Sequence, residues 1–125
     1  EEEIGGTKTE AYDFKDVKKE LVMARMPHKD QVILKEGWFP ETAVDLENET
    51  FALAVLDAGL YQPTFAGMEY FFPRMSRGGV ILVRNYESTR YIGVRRAMDD
   101  LEKKYGAFLI LPVGDLNGTV MIVHP

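Results

Sequence analysis

Two short stretches concentrate the residues that can do chemistry. One is Leu56-Asp57-Ala58-Gly59-Leu60-Tyr61, the other Val83-Arg84-Asn85-Tyr86. Each follows an apolar run, FALAVL over 51–56 and VILV over 80–83, of the kind that forms a strand buried on both faces. In open α/β sheets, ligands bind just beyond the carboxyl ends of the strands. A carboxylate at Asp57 can there meet a ligand or a cation. The plainer reading makes Asp57 a turn former or the cap of the next helix. A phosphatase-type aspartate nucleophile needs a second aspartate two residues on; Gly59 stands there instead and sets that class aside. Tyr61, Tyr86 and Tyr91 cluster around the same strand ends, where they line a pocket or cover the edge of the core.

Other polar candidates have plainer explanations. His28 and His124 have no acidic or histidine neighbour at metal-ligand spacing and read as exposed or terminal residues. Arg90, Arg95 and Arg96 offer contacts to an anionic substrate. Their spacing to Asp99, Asp100 and Glu102 favours a solvated helix face of paired charges. Trp38 and Phe39 read as packing residues. Asn48-Glu49-Thr50 and Asn117-Gly118-Thr119 match the glycosylation acceptor pattern, and with no signal peptide both are read as chance.

The elements that position these residues follow from periodicity. Asp13 and Asp16 favour the start of a helix whose apolar face is Phe14, Val17, Leu21 and Ala24, stopped by Pro27. Gln31 to Lys35 is a short β-rich run, and 38–48 reads as a loop. Pro63 suits the first turn of a helix carrying Phe65, Met68, Phe72 and Met75 on one stripe. Gly78-Gly79 reads as a turn. A helix over Ile92 to Tyr105, with Val94, Ala97, Met98 and Leu101 on one side, is closed by Gly106. Phe108–Leu111 and Val120–Val123 make two strands around a Gly114–Gly118 turn, too close for anything but an antiparallel hairpin. Strands alternating with helices predict an α/β fold with a mainly parallel sheet.

Composition narrows the function classes. The chain has 125 residues, which suits one domain, and 46% of them are hydrophobic, enough for a core. With no cysteine it has neither disulfides nor a thiolate metal site. A formal charge of -5 excludes a basic nucleic-acid surface. No apolar run reaches the roughly 18–20 residues of a membrane span. Together these place the protein in the cytoplasm, away from membrane and nucleic acid. The opening Glu1-Glu2-Glu3-Ile4-Gly5-Gly6 lacks an initiator methionine, so the chain reads as a segment of something longer.

Four blocks carry a family resemblance. They are Lys35-Glu36-Gly37-Trp38-Phe39-Pro40-Glu41-Thr42, Leu56 to Thr64, Pro73-Arg74-Met75-Ser76-Arg77-Gly78-Gly79-Val80, and Gly93-Val94-Arg95-Arg96-Ala97-Met98-Asp99-Asp100. In this order the chain resembles the macrocin O-methyltransferase (TylF-like) family of S-adenosylmethionine-dependent enzymes, from about Phe14 to Val123. The resemblance implies a three-layer, Rossmann-like class I methyltransferase fold, a mainly parallel sheet with an antiparallel last strand. It implies methylation of a hydroxyl on a sugar or natural product, a small-molecule acceptor, with magnesium at the site.

The resemblance covers what would be strands three to seven. The first two strands are therefore expected upstream of Glu1, with the glycine-rich loop and acidic residue that hold the cofactor. Glu3-Ile4-Gly5-Gly6 is no substitute, since no apolar strand precedes it. On this reading 1–125 is a single partial domain, 1–12 is a loop or linker, and cofactor-binding residues are unassigned.

The chain departs from the family pattern where the chemistry should be. The family's fourth strand ends in aspartate, any residue, aspartate. Asp57 keeps the first, which aligns with a magnesium ligand. Gly59 replaces the second, which aligns with the general base, and glycine has no group to take a proton. The family's paired metal-binding aspartates after the fifth strand are here Arg84 and Asn85, poor partners for magnesium. Asp57 and Arg84 end adjacent strands, so the guanidinium can supply in place the charge that the metal supplies in relatives. Two functions follow: a methyltransferase segment, or a catalytically inactive derivative kept for binding or assembly. This segment alone is not expected to bind S-adenosylmethionine or magnesium well.

Loss of strands one and two also exposes an apolar edge on the fourth strand. It is closed by the upstream half, by the third strand moving beside the fourth, or by a second copy in a homo-dimer.

Overall fold

Residues alternating along a strand point to opposite faces, so each apolar row needs cover from another element. The computed structural model describes residues 18–125 and has four strands and three α-helices, two of which cover one face of a sheet. The strands are β1 (Phe51–Leu56), β2 (Met75–Val83), β3 (Ile110–Pro112) and β4 (Val120–Val123). The helices are α1 (Lys19–Arg25), α2 (Tyr61–Phe71) and α3 (Ile92–Tyr105). Short 3-10 turns occupy Lys29–Gln31, Glu41–Leu46 and Phe72–Arg74.

The sheet order is β1-β2-β4-β3. β1 and β2 pair in parallel, while β4 runs antiparallel to both of its neighbours. Three strands thus share a direction and the last in the chain opposes them. The expected hairpin between the last two strands is present, with β3 starting at Ile110 rather than Phe108.

One face of the sheet holds the core. Ala54, Ile81, Val83, Val120 and Ile122 pack with Met68 of α2 and with Val94, Met98 and Leu101 of α3. These are the residues whose apolar stripes the periodicity marks. α2 and α3 are also tied to each other at their outer edges. Glu69 accepts from Lys104 at 2.8 Å and from the Tyr105 hydroxyl. Asp100 accepts from Lys103 at 2.8 Å and from the Tyr61 hydroxyl at 3.0 Å.

Several expectations need correction. The run at 51–56 is not buried on both faces: Leu53 is 58% and Val55 53% exposed. The cause is topological, because β1 is the sheet's edge among the described residues and the helices of the core lie on the other face. Gln31–Lys35 is not a strand but a 3-10 turn followed by extended backbone. A strand exists through its ladder, and no described strand lies beyond β1 to provide one. It has not moved beside β1. Gly78-Gly79 is no turn between elements; both lie within β2, where the ladder shifts between Phe51 and Leu53. Trp38 is not packed, at 86% exposed, whereas Phe39 sits between the rings of Tyr70 and Phe71. α1 buries none of its residues, and Leu21 is half exposed. Asp13, Phe14, Asp16, Val17 and the 1–12 loop lie outside the described residues.

The ties between α2 and α3 make stability depend on acidity. Lys104, then Tyr105, hold the Glu69 carboxyl below its ordinary value; Lys103, then Tyr61, do the same for Asp100. A depressed carboxyl contributes stability present above its unfolded pKa and lost as pH falls through the folded one. Urea unfolding should therefore show wild type losing stability below about pH 4. A Glu69→Gln, Asp100→Asn variant should start less stable at neutral pH and lose less over the same range. Parallel curves for the two proteins would contradict this.

Candidate functional site

Leu56 and Val83 face each other across the parallel ladder, so the chain leaves β1 and β2 side by side. The Arg84 N–H still donates to Leu56 O at 3.0 Å, one step past the ladder. Here the two side chains meet. Arg84 Nη1 donates to Asp57 Oδ2 at 2.8 Å, with the side chains 36% and 49% exposed. Asp57 is not a helix cap: Leu60 holds the N-cap position of α2, and no side chain caps it.

The backbone around this pair is specialised. Gly59 has φ +70°, the left-handed region that glycine enters without steric cost. Asn85 has φ +62°, a conformation that asparagine tolerates as a single residue. Its N–H donates to Asn117 O at 3.1 Å, and that of Glu87 to Gly118 O at 3.2 Å. Gly118 makes this docking possible, because a Cβ there would lie 2.9 Å from the Glu87 Cβ.

The 114–118 turn is shaped by Asp115, which accepts from the Thr119 N–H at 2.8 Å and its hydroxyl at 2.6 Å. Those bonds, with a smaller contribution from the nearby Arg84 charge, hold the Asp115 carboxyl below the usual range. This role was missed in the sequence, where Asn117-Gly118-Thr119 drew notice only as a modification pattern. The available signal was an aspartate four residues before a threonine in a Gly/Asn turn.

Two clefts lie near the strand ends, one reaching Asp57 and the other reaching Asn85. One of about 270 Å³ is lined by Phe39, Val55, Leu56, Asp57, Pro63 and Phe71, among others. The other, about 370 Å³, lies between the loop 85–91 and the turn residues Leu116, Asn117 and Gly118. Of the residues that the sequence places around a pocket, Asp57, Arg84 and Asn85 converge at the strand ends. Tyr61 and Tyr86 serve the helix layer. Tyr61 reaches Asp100, and burial pushes its hydroxyl up. Tyr86 is buried in the core under the Arg95 guanidinium at 4.5 Å, and burial raises its hydroxyl too. Arg95 also pairs with Asp99 at 3.3 Å, as its spacing predicts. His28 is exposed, whereas His124 is half buried against the Phe72 ring at 5.0 Å.

The donor set at Asp57 does not suit magnesium. That ion takes oxygen ligands in near-octahedral array, and here the Asp57 carboxylate is already bonded to a guanidinium. Among the described residues no three His, Asp or Glu side chains group where they could hold a metal ion. None of the described helices is long and apolar enough to cross a membrane.

Comparison with known proteins places this arrangement in a class. The fold matches that of the O-methyltransferase NovP, with a TM-score of 0.69 at 23% identity over 86% of this chain and 45% of that one. The calicheamicin methyltransferase CalS11 matches with a TM-score of 0.56 at 19% identity, over 67% of this chain and 32% of that one. The class is therefore a mixed α/β fold of the methyltransferase type.

The family model described as Macrocin-O-methyltransferase (TylF) matches residues 13–117. The chain belongs to the TylF family. A relative from Streptomyces olivaceus, 8-demethyl-8-(2,3-dimethoxy-alpha-L-rhamnosyl)-tetracenomycin-C 4'-O-methyltransferase, is 31% identical over 90 residues, 72% of this chain and 33% of that protein. Demethyldecarbamoylnovobiocin O-methyltransferase of Streptomyces niveus is 32% identical over 57 residues, 46% of this chain and 22% of that protein. The chain thus spans about a third or less of the length of these curated relatives.

Exposure limits what the Asp57–Arg84 pair contributes to folding. Pairs this accessible are worth about 0–1 kcal/mol, since water screens the attraction and two side chains lose freedom. Arg84→Met should shift the urea-unfolding free energy by less than about 1 kcal/mol. By contrast, Ile122→Ala, in the fully buried core, should cost about 2–5 kcal/mol. An Arg84 effect as large as that of Ile122 would mean that the pair is structural.

Proposed function

We propose that this chain is the later part of an S-adenosylmethionine-dependent O-methyltransferase domain of the TylF family. The complete domain methylates a hydroxyl group of a sugar or natural product. The observation that carries this reading is the family match across residues 13–117. The strand order supports it: β1, β2, β3 and β4 take the places of the fourth to seventh strands, with the last strand opposed. In this reading the first two strands and their helices belong to the domain and lie beside β1. The curated relatives are named as O-methyltransferases of a rhamnosyl-tetracenomycin and of demethyldecarbamoylnovobiocin, which supports a small-molecule acceptor.

S-adenosylmethionine would supply the methyl group when bound. Nucleotide-type cofactors are held by a glycine-rich turn between a strand and a helix N-terminus. The described β1-to-α2 link, Asp57-Ala58-Gly59-Leu60, is no such cradle. The residues described here do not by themselves fit the cofactor. What they contribute is the strand ends that face an acceptor: Asp57 as an oxygen acceptor, Arg84 and Asn85 as donors, with the two clefts near them.

A second reading is favoured by Gly59. With φ +70° and no side chain, it offers no proton acceptor where the family pattern that the chain resembles has aspartate. The domain is then a non-catalytic member retained for binding or assembly.

Calorimetric titration of the 125-residue chain with S-adenosylmethionine should give no binding in the micromolar range, and incubation with magnesium should give no methyl transfer. Micromolar affinity for this chain alone would refute the partial-domain reading. The open β1 edge should also make the chain self-associate. Light scattering should give a mass above the 14.2 kDa of one chain. Replacing Leu53 and Val55 by lysine should bring it down toward that value. A monodisperse monomer without those changes would show that the edge is harmless.

A further inference from the structure

We propose that the Arg84 guanidinium is a fixed, built-in cation at the position where a divalent metal ion would otherwise sit, so that Asp57 is not a metal ligand in this protein. The proposal rests on the family reading above and deepens it for the same site. Three observations point the same way. Among the described residues the nearby Asp115 carboxyl is held by Thr119, while Arg84 Nη1 pairs with the Asp57 carboxylate, at 2.8 Å from Oδ2. A metal ion bound to that oxygen would have to displace the guanidinium and then stand beside a like charge. The neighbouring donor, Asn85, is neutral, and its backbone is fixed at φ +62° by the bond to Asn117 and the adjoining Glu87–Gly118 contact. Among the described residues no other acidic or histidine side chains group into a cation site.

The arrangement still provides positive charge. Arginine carries five N–H donors in a planar fork and stays protonated at any ordinary pH. One Nη1 donor is spent on Asp57, and the side chain is 36% exposed. The remaining donors can meet an oxygen of the bound molecule, a hydroxyl or an anion, without a dissociable ion. Asp57 keeps its second oxygen, Oδ1, as an acceptor for a hydroxyl hydrogen. The pair thus offers a donor and an acceptor side by side.

Manganese, a spectroscopic stand-in for magnesium, tests this on the full 125-residue chain. Binding removes the sharp paramagnetic resonance signal of the free ion, whatever the state of association of the protein. Wild type and Asp57→Asn should give superimposable titrations. Arg84→Asp with Asn85→Asp should gain a saturable site, tighter than anything in wild type by about tenfold or more. Adding Asp57→Asn to that variant should abolish the gain.

A wild-type site that disappears in Asp57→Asn would overturn the proposal. A folded double variant with no gain would overturn it equally. Should circular dichroism show the double variant unfolded, Arg84→Met replaces it. A gain of manganese binding there that depends on Asp57 supports the proposal, and no gain overturns it. Because the readout is the metal ion itself, failure of the methyltransferase reading would leave this result unchanged, and the reverse also holds.

Discussion

The parallel ladder between β1 and β2 sets where everything else lies. Leu53 faces Val80, Ala54 faces Ile81, Val55 faces Leu82 and Leu56 faces Val83. A strand has a side-chain period of two, so a slip of one residue would turn each row to the opposite face. With β2 held by β4, a slip of β1 would take Ala54 out of the core, and Asp57 would no longer emerge beside Arg84. The ion pair is thus a consequence of register, not its cause. Burial of core residues such as Ile81 and Val83 outweighs an exposed pair by several-fold. The shift between Phe51 and Leu53, where β2 passes through Gly78-Gly79, adjusts the strand lengths upstream so that the carboxyl ends stay aligned.

The same ladder explains why one face of the sheet looks unfinished. Leu53, Val80 and Val123 form one cross-strand row opposite the helices; Val55, Leu82, Met121 and Leu111 form the next. Apolar rows on both faces are the mark of a sheet covered on both sides. Here the helices that join the core, α2 and α3, cover one side, and Leu53, Val55 and Leu111 remain accessible. The chain matches 45% of NovP. Under the proposed reading, the outer rows and the β1 edge are where the rest of such a domain packs.

What the sequence made legible follows from which forces are local. α3 was readable end to end because its apolar stripe, Val94, Ala97, Met98 and Leu101, repeats at helical spacing and Gly106 ends it. β4 and the antiparallel hairpin were readable because the short turn forbids a crossover. Gln31–Lys35 was misread because β propensity is a statement about fitting into a sheet, and no neighbouring strand is there. Leu53 and Val55 were misplaced for a related reason. Composition records that a run is apolar, but not whether anything covers it. At the site, the proximity of Asp57 and Arg84 follows from their places after paired strands. The inward turn of Tyr86 and the bond from Tyr61 to Asp100 depend on α3, which no local pattern around those tyrosines reveals.

Charge balance links the three departures from the family pattern at the strand ends. In the pattern that the chain resembles, aspartates stand at the positions of Gly59, Arg84 and Asn85 as well as at Asp57. Several carboxylates that close repel one another unless a cation lies among them, which is what a metal ion provides. Here the Asp57 carboxylate faces the Arg84 guanidinium at 2.8 Å, and the pair is neutral without an external ion. Aspartate at 84 alone would place two carboxylates at adjoining strand ends with no counter-charge. Aspartate at 59 would add another on a backbone with φ +70°, which glycine adopts more readily than any residue with a side chain. A site altered in only one of these ways would be electrostatically worse than either complete arrangement. Under the proposed reading, a fixed positive charge at Arg84 and the absence of aspartate at Gly59 and Asn85 each make the other tolerable.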